Sequence, residues 1–106
     1  MENKSYRIRY TPLAYADLDN IDSYISETLC NPQAAENLLD EMESSIRQLE
    51  NYPLLGFEVN DPYLASKGYR KITVQNYLVF YLIDHTEKNV IIMRVLHGAR
   101  EYRDLL

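Results

Sequence analysis

The chain has no tryptophan and one cysteine, and only three glycines and four prolines in 106 residues. Cys30 therefore cannot close an internal disulfide, and nothing else in the sequence pairs with it as a metal-ligand cluster. Glycine and proline this sparse argue against a long disordered or low-complexity region. No long hydrophobic run occurs: the longest, Tyr77 to Ile83, is far below the roughly 20 residues of a membrane span. The first residues, Met-Glu-Asn-Lys-Ser-Tyr, form no apolar signal segment. The expectation is a cytoplasmic protein with no membrane partner, folded as one domain over residues 1–106, since a chain this short cannot divide into two domains that each bury a core.

Positive charge is also in short supply. Eleven Lys and Arg face sixteen Asp and Glu, for a net charge of −5. The average hides a split. Residues 10–61 carry eleven acids and one base, Arg47, whereas both flanking segments are net basic. An acidic chain is a poor general nucleic-acid binder, because phosphate contacts depend on Lys and Arg. The basic carboxy-terminal part could meet an acidic partner, or could simply be a solvated face.

What is present reads as alternating helix and strand signals. Residues 6–10, Tyr-Arg-Ile-Arg-Tyr, alternate apolar and basic as a short strand does. Thr11-Pro12 then opens a helix, with a hydroxyl N-cap followed by a proline whose missing N–H costs nothing there. Leu13, Ala16, Leu18, Ile21, Ile25 and Leu29 recur at helical spacing to about Thr28, with Asp17, Asp19, Asp22 and Glu27 largely outside. Asn31-Pro32 repeats the device, and Ala35, Leu38, Leu39, Met42, Ile46 and Leu49 make a second stripe ending near Asn51. Joined by so short a link, the two helices form an antiparallel hairpin. Residues 53–68, with two prolines and two glycines, read as a long surface loop.

Three strand-like runs follow, Tyr69–Val74, Tyr77–Asp84 and Val90–Leu96. The Gln75-Asn76 turn places Ile72 opposite Val79 and Arg70 opposite Tyr81. The fold class is α+β: an amino-terminal strand, the helical hairpin, and a three-stranded antiparallel meander, with the helices on one face of the sheet. The middle run is apolar on both faces. A hairpin covers only one, so the other should present Leu78, Phe80 and Leu82 to a partner.

No phosphate-cradling glycine loop, serine elbow or paired-cysteine motif occurs. The segment from Arg94 to Tyr102 gathers His97, Arg94, Arg100, Glu101 and Tyr102 around Gly98. It suits either acid–base or phosphate contact, or an ordinary strand end with surface charges. Tyr63, Tyr69 and Tyr102 could stack on bases, although core packing explains most of the ten tyrosines. Asp17, Asp19 and Asp22 lack calcium-loop spacing and read as a solvated helix face.

The order of elements and several stretches are similar to a known family. They are Tyr10-Thr11-Pro12-Leu13-Ala14 with Ala16-Asp17-Leu18; Tyr69-Arg70-Lys71-Ile72 with Asn76-Tyr77-Leu78-Val79-Phe80-Tyr81; and Val95-Leu96-His97-Gly98-Ala99-Arg100-Glu101-Tyr102. With these the chain resembles the RelE/ParE superfamily of type II toxin–antitoxin toxins, also called plasmid stabilisation proteins. The resemblance implies a cognate antitoxin and no metal or organic cofactor. It also implies one of two activities, ribosome-dependent messenger-RNA cleavage (RelE-like) or poisoning of DNA gyrase (ParE-like), since one fold hosts both. In the cleaving branch the central strand carries an active-site arginine, and that position here holds Leu78. A leucine stabilises no developing charge, so the ParE-like branch is favoured. A nuclease would have to use Lys71, His97, Arg100 and Tyr102 instead. As a gyrase inhibitor, the chain would use Arg70, Arg94, His97, Arg100 and Arg103 as target contacts. A homodimer and a toxin–antitoxin hetero-oligomer are both compatible with the resemblance.

Overall fold

Three helices begin in the same way. In the computed structural model, which describes residues 5–98 and 102–106, Thr11 Oγ1 accepts the Ala14 N–H at 3.0 Å and Asn31 Oδ1 accepts the Ala34 N–H at 3.1 Å. These caps open α1 (Pro12–Ser23), which runs on as a π-helical turn Tyr24–Thr28, and α2 (Pro32–Arg47), which tightens into a 3₁₀ turn Gln48–Glu50. The third cap is Asp61, whose Oδ1 accepts from Tyr63 and Leu64 N–H at 2.9 and 3.2 Å. It opens α3 (Pro62–Ser66). The expected loop over 53–68 is thus corrected: it contains α3 and a two-residue strand β2, Phe57–Glu58.

With β1 (Arg7–Tyr10), β3 (Arg70–Val74), β4 (Tyr77–Asp84) and β5 (Asn89–His97), β2 completes a five-stranded sheet of order β1-β5-β4-β3-β2. β1 lies parallel to β5 and the other pairs are antiparallel. The expected pairs Ile72–Val79 and Arg70–Tyr81 are present. Between β4 and β5 the register slips once: Tyr81 faces Ile92 but Phe80 faces Arg94, so Met93 is the extra residue of a bulge.

Each face of β4 has its own core. On the hairpin side Ile21, Leu38, Met42, Ile46 and Leu49 are buried, with Leu18 and Ile25 half-buried against the same cluster, and Val79, Tyr81, Val90 and Val95 beneath them. Of the twelve hairpin positions read from periodicity, these seven pack on this cluster, whereas Leu13, Ala16 and Leu29 are exposed, a correction to the first stripe. Tyr81 is also a tie: its hydroxyl donates to Pro53 O at 2.8 Å and accepts the Gly56 N–H at 3.1 Å. The approach leaves no room for a side chain, since a Cβ on Gly56 would sit 2.3 Å from Lys71 O.

The opposite face is not bare, which corrects the expectation for Phe80. Val59, Leu64 and Tyr69 from the segment between β2 and β3, together with Tyr102, Leu105 and Leu106 of the tail, pack over Phe80 and Leu96. Phe80 is 0% exposed, and the Tyr102 ring lies 4.7 Å from its own.

One polar contact joins these layers. β1 ends at Tyr10, so the far half of β5 has no strand beside it on that edge. Thr11 Oγ1 donates to Met93 O at 2.9 Å and Asp17 Oδ2 accepts the Val95 N–H at 2.9 Å, which satisfies the exposed edge. The Asp17 carboxylate also holds Arg94 through Nε at 2.8 Å and Nη2 at 2.9 Å, and Arg94 Nη1 donates to Leu105 O at 3.1 Å. Asp17 is 8% exposed and belongs to the inner face, not to the solvated acidic face where spacing had placed it.

Truncating Leu49 to alanine should lower stability by about 2–5 kcal/mol through the cavity it leaves. Asp17→Ala should cost about 3–5 kcal/mol, because it strands a largely buried guanidinium. Urea unfolding of the two variants checks both values.

Candidate functional site

The sheet end where β4 begins and β5 finishes carries the sequence-predicted residues. The Gln75-Asn76 turn, with Gln75 at φ 53°, starts β4 at Tyr77, directly opposite His97. Gly98 N–H extends the ladder by donating to Asn76 O at 2.7 Å. A Cβ on Gly98 would approach that oxygen to 3.2 Å, so a glycine suits this crossing. The Tyr77 and His97 rings meet edge to face, 5.4 Å between centroids. Burial, and secondarily Tyr24, raises the Tyr77 phenol above its ordinary value. At neutral pH it stays protonated and is able to donate a hydrogen bond.

His97 and Tyr77 open onto a groove of about 630 Å³ between the sheet end and the helical hairpin. Asn20, Tyr24 and Asn31 line its hairpin wall. Gln75 closes one side and donates through Nε2 to Glu41 at 2.8 Å. The π-helical turn Tyr24–Thr28 forms part of this wall, an irregularity that frequently accompanies functional sites.

Other expected site residues are placed differently. Lys71 pairs in register with Phe80, so it rises on the tail-covered face, where Tyr102 packs on Phe80. His97 pairs with Tyr77, which packs on the hairpin-side core. Lys71 and Tyr102 thus share one face and His97 lies on the other. Arg100 lies outside the described residues.

Three arginines expected as target contacts are also engaged within the chain. Arg94 is bound to Asp17, and this hydrogen bond, outweighing burial, raises the guanidinium above its ordinary value. Arg70 Nη2 donates to Gly56 O at 2.6 Å and Leu54 O at 3.1 Å, holding the segment before β2. Arg103 pairs with Asp61 at 3.1 Å and sits over the Tyr63 ring, fastening the tail to α3. Leu78 and Leu82 remain half-buried beside the second core. Tyr69 is buried, whereas Tyr63 is half exposed under Lys67 and Arg103. Among the described residues no three His, Cys, Asp or Glu side chains gather as a metal site, and no helix is long and apolar enough to cross a membrane.

Asp17 is the structural residue that sequence reasoning missed. Its signal was position: it stands three residues after Ala14 and four before Ile21, both buried.

The sequence profile of the ParE toxin of type II toxin–antitoxin systems, parDE, matches residues 8–102. The chain belongs to the ParE toxin family. It is a type II toxin of the RelE/ParE superfamily with that superfamily's α+β fold. No curated protein sequence matches it. Among solved structures, it is similar to a chain of the chromosomal ParDE system from P. aeruginosa, with 20% identity, TM-score 0.72, and coverage of 88% of this chain and 96% of that one. It is also similar to a chain of the RelBE2 toxin–antitoxin complex from Mycobacterium tuberculosis, with 25% identity, TM-score 0.62, and coverage of 93% and 98%. A free E. coli RelE mutant matches at 11% identity and TM-score 0.63, covering 90% of this chain and 85% of that one, a likeness of fold alone.

The buried state of Phe80 in this toxin sets a test. Phe80→Asp should exceed the about 3–5 kcal/mol of a phenylalanine truncation, since it also buries an unpaired charge. Leu78→Asp and Leu82→Asp should leave a cooperative thermal transition, because both side chains already meet solvent.

Proposed function

We propose that this toxin is neutralised by a cognate antitoxin and, when released, inhibits growth as a ParE-like poison of DNA gyrase. The observation that carries the reading is Leu78. Where the RNA-cleaving branch of the resemblance has an arginine, this chain has a half-buried leucine beside the second core. A positioned charge donor at such a site is commonly worth about 3–4 kcal/mol of barrier, and leucine supplies none of it. The separation of Lys71 and Tyr102 from His97 by the sheet supports the same reading. A general acid–base pair must reach the same reacting atoms.

The antitoxin reading is supported by relatives of the same fold solved as toxin–antitoxin complexes, among them the M. tuberculosis RelBE2 pair and an archaeal RelE–RelB complex from Pyrococcus horikoshii. Leu78 and Leu82, half-exposed around a covered Phe80, are the apolar contacts we assign to the antitoxin. An antitoxin tail that folds on binding would bury them as it orders. His97 and Arg100, at the end of β5 and just beyond it, are the contacts assigned to the target.

Inducing the toxin alone should trigger a DNA-damage response and filamentous cells, with ribosome-bound messages uncut. His97→Gln keeps a hydrogen-bonding side chain but cannot titrate, and should retain most of the toxicity. Codon-specific cuts in messages, lost in His97→Gln or Lys71→Ala, would falsify the gyrase reading.

A further inference from the structure

Residues 52–57, Tyr-Pro-Leu-Leu-Gly-Phe, carry no charge and lead from the 3₁₀ turn after α2 into β2. Their backbone is pinned from the sheet side. The buried Tyr81 hydroxyl holds Pro53 O and the Gly56 N–H, and Arg70 Nη2 holds Leu54 O and Gly56 O. The Leu55 N–H closes the turn on Tyr52 O at 2.9 Å. The large side chains go the other way. Tyr52 is 67% exposed, Leu54 62%, Leu55 47% and Phe57 75%. With about 200 Å² in each such side chain, they offer about 500 Å² to solvent. They form one patch through Leu55, which lines two hollows. One, of about 430 Å³, is shared with Tyr52, Leu54, Tyr6 and His85; the other, of about 270 Å³, lies beside Phe57. Contiguous apolar surface on this scale marks an interaction site.

We propose that this patch joins two copies of the toxin about a two-fold axis. The segment has no charge with which to select an oppositely charged partner. An uncharged apolar surface is complementary to itself, which is what an isologous contact requires. Doubled in a dimer, its area reaches about 1,000 Å², the least a specific interface needs. The pinned backbone is ordered before association, so little further entropy is lost on contact. β2 is the open edge of the sheet, but Glu58 there opposes pairing of two β2 strands, so the contact is made through side chains. The patch sits beside His85, just past the end of β4 that lies farthest from Tyr77 and His97. The inference therefore rests on neither the gyrase nor the antitoxin reading.

Sedimentation velocity of the purified toxin, from about 1 to about 100 µM, should show a monomer giving way to a dimer, as an interface of this modest area does. Raising the salt should strengthen the dimer. Each copy carries a net charge of −5, and screening removes their repulsion while sparing an apolar contact. Phe57→Ser and Leu54→Ser should each weaken the dimer by about tenfold or more. Both should keep a cooperative thermal transition, since these side chains lie in solvent in the single chain. A monomer at every concentration, a dimer that salt dissociates, or a dimer indifferent to both variants would overturn the proposal. Should the toxin stay monomeric while either variant loses toxicity on induction, the patch belongs to the target, and the second-copy assignment fails.

Discussion

A single carboxylate, Asp17, stands where three parts of the molecule meet. β1 is too short to cover β5 along its length, and an uncovered strand edge leaves backbone groups without partners. Asp17 reaches from α1 to take the Val95 N–H, and its other bonds fix Arg94, which in turn holds the carbonyl of Leu105. Desolvating a carboxylate is costly, and here that cost is offset by charge-assisted hydrogen bonds in a bidentate arrangement. The helix is thereby indexed against the strand, and the tail against both. The tail lies over Phe80 and completes the second core.

This arrangement reshapes the question of function. Arg70, Arg94 and Arg103 look like a basic surface in the sequence, yet each holds part of the fold: the segment before β2, the α1–β5 edge, and the tail on α3. In the function proposed for this toxin, the leucine at position 78 is the local difference that separates one activity of the fold from the other.

Much of this was legible in the sequence. The Thr-Pro and Asn-Pro caps, the two apolar stripes and the register across Gln75-Asn76 are local signals with local causes, and they appear where expected. Asp61-Pro62 is the same signal and went unread because the prolines and glycines around it suggested only a loop. The coverage of Phe80 was hidden for another reason. It depends on Val59, Leu64 and the tail meeting across the sheet, which no periodicity encodes. Asp17 misled because acidic neighbours on the outer face disguised its place on the inner stripe. The partners of the arginines were not legible either, because composition counts charges without saying what they hold.

The bulge at Met93 divides β5 into two half-strands out of phase. Val90 and Ile92 face the hairpin-side core, and regular alternation would next send residues 94 and 96 there. The extra residue shifts the parity: Val95 faces the hairpin, Leu96 faces the tail, and His97 follows Val95 onto the side of Tyr77. The side of the sheet on which the histidine emerges is therefore a matter of counting, decided four residues upstream. A strand one residue shorter at that point would present the same letters, in the same order, to opposite sides.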